Sequence, residues 1–170
     1  MSWPGSRCLK PLLMLLALAG ALPLSAASSA PAGQAFADLT VPLEIVVERD
    51  PARLAAAIRL ARLHVEAGQW ETAWRVLERS APHAEQDAEQ NAEFQGFAGT
   101  VLRQLKRAPA AAESYRRAIA LQPDEGRWWV GLGLALEDGG HRKEAALAFA
   151  AARERRQTLP PALLKLVERR

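Results

Sequence analysis

The sequence predicts an all-α protein, a short solenoid of about three helical hairpins closed by a C-terminal capping helix, and three observations carry that prediction. Residues 92–125 and 126–159 repeat one another at a spacing of 34, pairing Gly99 with Gly133, Leu102 with Leu136, Ala111 with Ala145, Tyr115 with Phe149 and Ala118 with Ala152. Ala, Leu, Arg and Glu dominate while Val, Ile and Thr are sparse, a mixture that costs little side-chain freedom in a helix. Glycine and proline stand where hairpins need their turns and stops, at Gly68, Pro109, Pro123, Gly139-Gly140 and Pro160-Pro161. A period near 34, with small residues and an aromatic at fixed offsets, describes units that bury their apolar faces on their neighbours.

The first residues belong to another process. Residues 1–10 carry Arg7 and Lys10 and no acid, residues 11–24 are apolar, and Ser25-Ala26-Ala27 supplies small side chains. Residues 1–27 therefore read as a secretory signal peptide cut after Ala27. The apolar run of about 14 residues falls short of the ~20 that a membrane-spanning helix requires. A periplasmic or secreted location follows, with an uncleaved leader anchored in the inner membrane and facing the periplasm as the alternative. Without the leader the net charge drops from +3 to +1, with 20 basic against 19 acidic residues, so basic character gives no argument for nucleic acid. Cys8, the single cysteine, lies in the leader, and the mature chain has no thiol for a disulfide or a metal.

Residues 28–50 form a lead-in and a short N-terminal element. Residues 28–37 have the Ala, Ser, Pro and Gly content of a disordered stretch. Residues 43–48, LEIVVE, suggest a strand by their branched side chains, yet the chain offers no second strand to pair with it. A short helix after Pro42, covering the open face of the first repeat, is the better expectation. Residues 51–159 make the repeat domain, with repeats near 54–87, 92–125 and 126–159, and residues 160–170 make the cap.

Within the domain, Asp50-Pro51 predicts a helix start, because the carboxylate accepts from first-turn amides and Pro needs no donor there. Gly68 ends that helix and Gln69-Trp70 opens its partner, which stops near Ser80. Ala61 stands for Gly99 and Ala73 for Ala111, but the offset to the next copy is 38, so an inserted turn lies near residues 83–90. Helices follow over residues 92–105 and 109–121, then 127–137 after an Asp124 cap, 142–155, and a last one from Pro160-Pro161 onward. The pattern sets Gly99 against Ala111 and Gly133 against Ala145 across each hairpin, with Tyr115 and Phe149 filling the space between hairpins and Ala118 and Ala152 admitting the next one.

These residues resemble the tetratricopeptide repeat (TPR) family over residues 54–159, with Pro123 at the family's closing proline and Gln157 departing from it in the last copy. A finer resemblance, carried by residues 115–137 (YRRAIALQPDEGRWWVGLGLALE) and by Leu-Pro-Pro-Ala-Leu at 159–163, is to the TPR module of MSHA-type pilus biogenesis proteins. The resemblance implies a right-handed solenoid whose inner groove is lined by the first helix of each hairpin. Carried over by alignment, Arg62, Glu66, Thr100, Arg103, Gln104, Arg127, Val130, Leu134 and Glu137 face that groove. Three arginines around two apolar residues suit a peptide carboxylate; a solvated polar face is the competing reading.

Trp128 and Trp129 have two readings, an aromatic platform for a peptide or glycan, or a core pair in which Trp129 fills the hairpin and Trp128 packs on the preceding helix. The core reading is favoured because large aromatics dominate burial, and Trp70 and Trp74 read the same way. His64, His83 and His141 are scattered, and no nucleophile motif or phosphate loop is present, so neither a cofactor, a small-molecule substrate nor catalysis is expected. The sequence points to an adaptor for a protein or peptide segment of an envelope assembly, of the pilus or secretion type. A structural subunit forming a homo-oligomer through the solenoid ends is the alternative.

Overall fold

The structure, a computed structural model, describes residues 32–86 and 88–170. Among them lie eight helices, α1 (Ala32–Arg49), α2 (Leu54–Glu66), α3 (Trp70–Ser80), α4 (Ala88–Gln104), α5 (Ala108–Leu121), α6 (Gly126–Asp138), α7 (Arg142–Glu154) and α8 (Pro161–Glu168), with 3₁₀ turns at Ala81–Gln86 and Arg156–Thr158 and no strand. The pairs α2–α3, α4–α5 and α6–α7 are hairpins stacked in chain order, α1 packs on α2, and α8 closes on α6 and α7. This is the solenoid that the sequence predicts, and the inserted turn is the first of the two 3₁₀ segments. The expected signal peptide, residues 1–27, lies outside the described residues.

Each hairpin turns through a left-handed residue: Gly68 (φ 74°), Lys106 (φ 61°) and Gly140 (φ 82°). In all three the amide of that residue donates three residues back and the next amide donates five back, as in Gly140 to Glu137 and His141 to Leu136. These bonds satisfy carbonyls that the helix end would leave bare. Gly139 keeps ordinary helical geometry, so one glycine of the pair makes the turn. Lys106 holds, with a Cβ, a conformation that its two counterparts reach without one.

Neither predicted aspartate cap forms. The Asp50 carboxylate accepts from Arg53 Nε at 3.0 Å, and α2 starts only at Leu54, after a turn. At α6 the first amide, of Gly126, donates to Thr158 Oγ1 at 2.8 Å, so the cap comes from beyond α7 and not from Asp124. That approach explains the glycine: a Cβ at Gly126 would stand 2.9 Å from both Thr158 and Leu159.

Helix α1 departs furthest from expectation. It begins at Ala32 and runs through Pro42, so the lead-in expected over residues 28–37 is helix from residue 32 onward. Packing outweighs the proline and the Ala/Gly composition. Phe36 meets the His64 ring edge-on at 5.6 Å, Thr40 is buried, and Val47 with Leu43 packs on Ala57 and Leu60. These positions fall at helical spacing along one face.

The glycines of the repeat seat aromatic rings. A Cβ on Gly99 would lie 2.9 Å from the Tyr115 ring, and one on Gly133 would lie 2.6 Å from Phe149. The space over each glycine is thus taken by the aromatic of its own hairpin; Ala111 and Ala145, both buried, are not its nearest neighbours. Gly131 of the following hairpin closes the far side of Tyr115, and Gly96 receives Trp128. Tyr115 therefore lies between two hairpins, with a glycine on either flank. Ala118 and Ala152 are fully buried beside it and Phe149 in one core cluster that runs through α4 to α8. A second cluster joins α2, α3 and α4, and Trp74 touches both.

Trp128 packs back on an earlier helix, as expected, but Trp129 does not fill the hairpin core. Trp128 is buried, on Gly96 of α4, whereas Trp129 is half-buried. Trp129 Nε1 donates to the Pro123 carbonyl at 2.9 Å, and Arg155 lies over its ring at 4.9 Å. Pro123 is itself exposed; its contribution is that carbonyl, which also accepts from Arg155 Nε at 2.6 Å.

Two substitutions test these seats in urea titrations. Gly131→Ala drives a methyl group into the Tyr115 ring and is expected to lower stability by about 1–3 kcal/mol, although alanine is the better helix former. Lys106→Gly relieves a left-handed lysine and is expected to raise stability by roughly 0.5–1 kcal/mol. An unchanged midpoint in the first variant would contradict the ring-in-seat packing.

Candidate functional site

The first helices of the hairpins, α2, α4 and α6, share one face of the stack, and a groove of about 800 Å³ lies along it. Ala55, Ile58, Arg59, Arg62, Leu63 and Glu66 of α2 form one wall, and Gln90, Glu93 and Arg127 reach it from α4 and α6. The α2 residues recur every three or four positions, which places them in a single stripe. Half-buried Ile58 and Leu63 give the groove apolar floor, while Arg59, Arg62 and Glu66 stand exposed above it.

Of the nine residues assigned to the groove from sequence, the structure brings Arg62, Glu66 and Arg127 together there. The other six lie outside its lining. Val130 is buried and Leu134 packs on the core. Arg103 faces Asp138 of the next hairpin at 3.8 Å, Glu137 is gripped by Arg170 of the cap, and Gln104 is exposed outside the lining. Arg127 is paired with Glu93 of the preceding hairpin, flanked by Glu125, and stacked on the Trp128 ring at 4.1 Å. Two of the three expected arginines thus tie hairpin to hairpin. Arg62, by contrast, lies 5.6 Å over the Phe97 ring, and neither it nor Arg59 has an ion pair among the described residues.

Sequence reasoning missed Ile58, Arg59, Leu63 and Glu93. The α2 stripe was legible, since 55, 58, 59, 62, 63 and 66 share a helical face; the carboxylate that engages Arg127 was not, because it lies one full repeat upstream.

Thr100 also turns away from the groove. Its hydroxyl donates to the Gly96 carbonyl at 3.1 Å and accepts from the Tyr115 hydroxyl at 2.9 Å. Burial pushes the Tyr115 phenol above its ordinary value, against the smaller opposing effects of the Thr100 bond and the Arg103 charge. The histidines lie apart. His64 is buried, with Nδ1 sharing a hydrogen bond with Gln69 Oε1 at 2.8 Å, and His141 stands 3.4 Å from Glu144 at the surface.

The first helices of the stacked hairpins thus carry a groove lined by apolar and charged side chains. The tetratricopeptide repeat model matches residues 58–123 and 98–160, together more than half of the chain, and the chain belongs to that family. Among solved structures it is similar to MamA, with 19% identity, TM-score 0.65, 81% of this chain and 79% of that one covered. It is likewise similar to MamA of Desulfovibrio magneticus RS-1 from residue 41 onward (20% identity, TM-score 0.60, 74% and 68% covered). A third similar structure is YrrB, described as a TPR protein with an unusual peptide-binding site (20% identity, TM-score 0.61, 72% and 61% covered). At these identities the likeness is one of fold. No curated protein matches the sequence.

Tyr115 is the only tyrosine, which makes its ionisation readable by ultraviolet absorbance. A phenol whose folded-state value is raised stabilises the fold fully below its unfolded value near 10, and that contribution is lost as pH rises toward the folded value. Phenolate absorbance and loss of helical circular dichroism are expected to rise together above pH ~10. Titration near 10 with the helices intact would contradict the buried hydroxyl relay.

Proposed function

We propose that this chain is an exported adaptor that holds a peptide or protein segment in its concave face, within an envelope assembly of the pilus or secretion type. One observation carries the binding reading. Arg103 and Arg127 of the second and third hairpins are spent on ion pairs across the seam, while Arg59 and Arg62 at the first hairpin have no ion pair among the described residues and stand beside Ile58 and Leu63. Guanidinium forks beside apolar surface suit a segment that presents a carboxylate next to an apolar side chain. The peptide-binding site of the similarly folded YrrB supports the same use of the scaffold. No catalytic role is proposed, since stacked hairpins of this family serve as interaction modules.

Export rests on the sequence of residues 1–27, and the pilus reading on the resemblance of residues 115–137 and 159–163. Among the described residues no helix is long and apolar enough to cross a membrane, and an uncleaved leader would supply the anchor in the alternative form.

Photo-crosslinking of the tagged protein in its source cell tests both parts. The mature chain is expected in the envelope fraction with Ser28 as its first residue, joined to one specific partner. Arg59→Glu with Arg62→Glu is expected to abolish that adduct and to leave the melting temperature within about 2 °C, since both side chains are exposed. Capture unchanged by the double reversal would overturn the groove assignment, and recovery of the full-length chain from the cytosol would overturn export.

A further inference from the structure

Charge is spread unequally along the stack. Residues 142–170 hold eight Lys and Arg against three Glu, while residues 32–141 hold 12 against 16, giving +5 at the carboxyl end and −4 over the rest. The excess falls on α7, the 3₁₀ turn after it and α8, the last layer of the solenoid. Within that layer Arg142, Lys143, Arg156, Lys165 and Arg169 are exposed and have no ion pair among the described residues.

Both helices turn these cations away from the core. On α8, Lys165 and Arg169 stand one turn apart, opposite buried Val167. On α7, Lys143 and Leu147 stand one turn apart, opposite buried Ala145, Ala148 and Ala152. Leu147 is 72% exposed, and the matching positions of the two earlier hairpins, Glu113 and Arg75, carry charge. A hollow of about 450 Å³ separates the helices, lined by Arg142, Ala146 and Phe149 together with Arg170 and the Glu137 that Arg170 grips. The last layer therefore presents bare cations of both helices and a bare leucine beside one of them.

We infer that this layer docks on an anionic phospholipid surface, with the five free cations over the headgroups and Leu147 entering the boundary between headgroups and acyl chains. Basic clusters gain attraction from anionic lipid with each added cation, and an apolar side chain among them adds buried area. A lipid surface is favoured over an acidic protein by the placement of the cations. They are spread over two helices and a turn, and four of the five stand outside the hollow. Mobile headgroups can gather under each of them, whereas carboxylates fixed on a protein would have to match the whole array. The acidic remainder of the chain is repelled by the same surface, so the field sets the stack end-on and leaves the α2 groove, toward its other end, facing water. This contact goes beyond the adaptor reading and is independent of what the groove holds.

The probe is a vesicle of phosphatidylcholine with about one third phosphatidylglycerol, against phosphatidylcholine alone. In sedimentation with the full chain, the anionic vesicles are expected to bind at least about ten-fold more tightly, and the difference to shrink as salt is raised. Lys165→Glu with Arg169→Glu is expected to weaken that binding about ten-fold. Arg49→Glu with Arg75→Glu makes the same change of net charge far along the stack and is expected to leave it within about two-fold. All four side chains are exposed, so folding is not at stake. A local readout separates this contact from any binding by residues 1–27: Cys8→Ser with Leu147→Cys leaves residue 147 as the only thiol, and an environment-sensitive dye there is expected to shift to the blue on anionic vesicles alone. Equal binding to both vesicles, an equal loss in the Arg49 and Arg75 variant, or an unshifted dye on anionic vesicles would overturn the inference. A shift produced by polyglutamate and not by vesicles would overturn it too, and would assign the layer to an acidic protein.

Discussion

The insertion of Tyr115 between two hairpins is the contact on which the rest of the solenoid depends. Its ring occupies the space over Gly99 in its own hairpin and over Gly131 in the next, and its hydroxyl ends in a relay through Thr100 to the Gly96 carbonyl. A ring flanked by two glycines fixes both the distance and the rotation between successive hairpins, because packed interiors tolerate neither a gap nor an overlap of one methyl group. The orientation of α6 against α4 follows, and with it the pairing of Arg127 to Glu93 and the surface left open on α2.

Most of the architecture was legible in the sequence because repetition is a non-local signal written locally. Gly99, Ala111, Tyr115 and Ala118 recur at one spacing, and the hairpin limits follow from Gly68, Pro109 and Gly140. Where the reading failed, a contact distant in the chain decided the outcome. Asp124 looks like a cap until Thr158 arrives at the same amide, and Pro42 looks like a helix start until Phe36, Thr40 and Val47 hold the helix through it. The small residues Gly99 and Ala111 are legible as a pair, but that the Tyr115 ring takes the space nearest Gly99 is not. The groove was half legible, since Arg62, Glu66 and Arg127 line it, while the engagement of Arg103 and Arg127 with acids one repeat away is invisible to an alignment of single helices.

The charge pattern separates what holds the stack together from what is left to meet another molecule. Arg107 reaches Glu71 at 2.9 Å, Arg116 reaches Glu144 at 3.6 Å and Arg170 reaches Glu137, so each hairpin is tied to the next across its surface. These pairs are mostly exposed, and each contributes at most about 1 kcal/mol. Their larger effect is to remove cations from circulation. Within the groove lining, Arg59, Arg62 and Glu66 of α2 have no ion pair among the described residues, beside half-buried Ile58 and Leu63.

The first hairpin differs from the other two in its core. Ser80 stands where Ala118 and Ala152 stand, fully buried and with its hydroxyl unsatisfied among the described residues, and Leu77 replaces the aromatic ring. A quasi-one-dimensional stack inherits its rigidity unit by unit, so this protein is stiff toward its carboxyl end and compliant toward its amino end. The expected consequence is a gradient of amide protection that rises from α2–α3 toward Tyr115. An arriving molecule meets the yielding end of the spring, and its grip is transmitted to a clamped one.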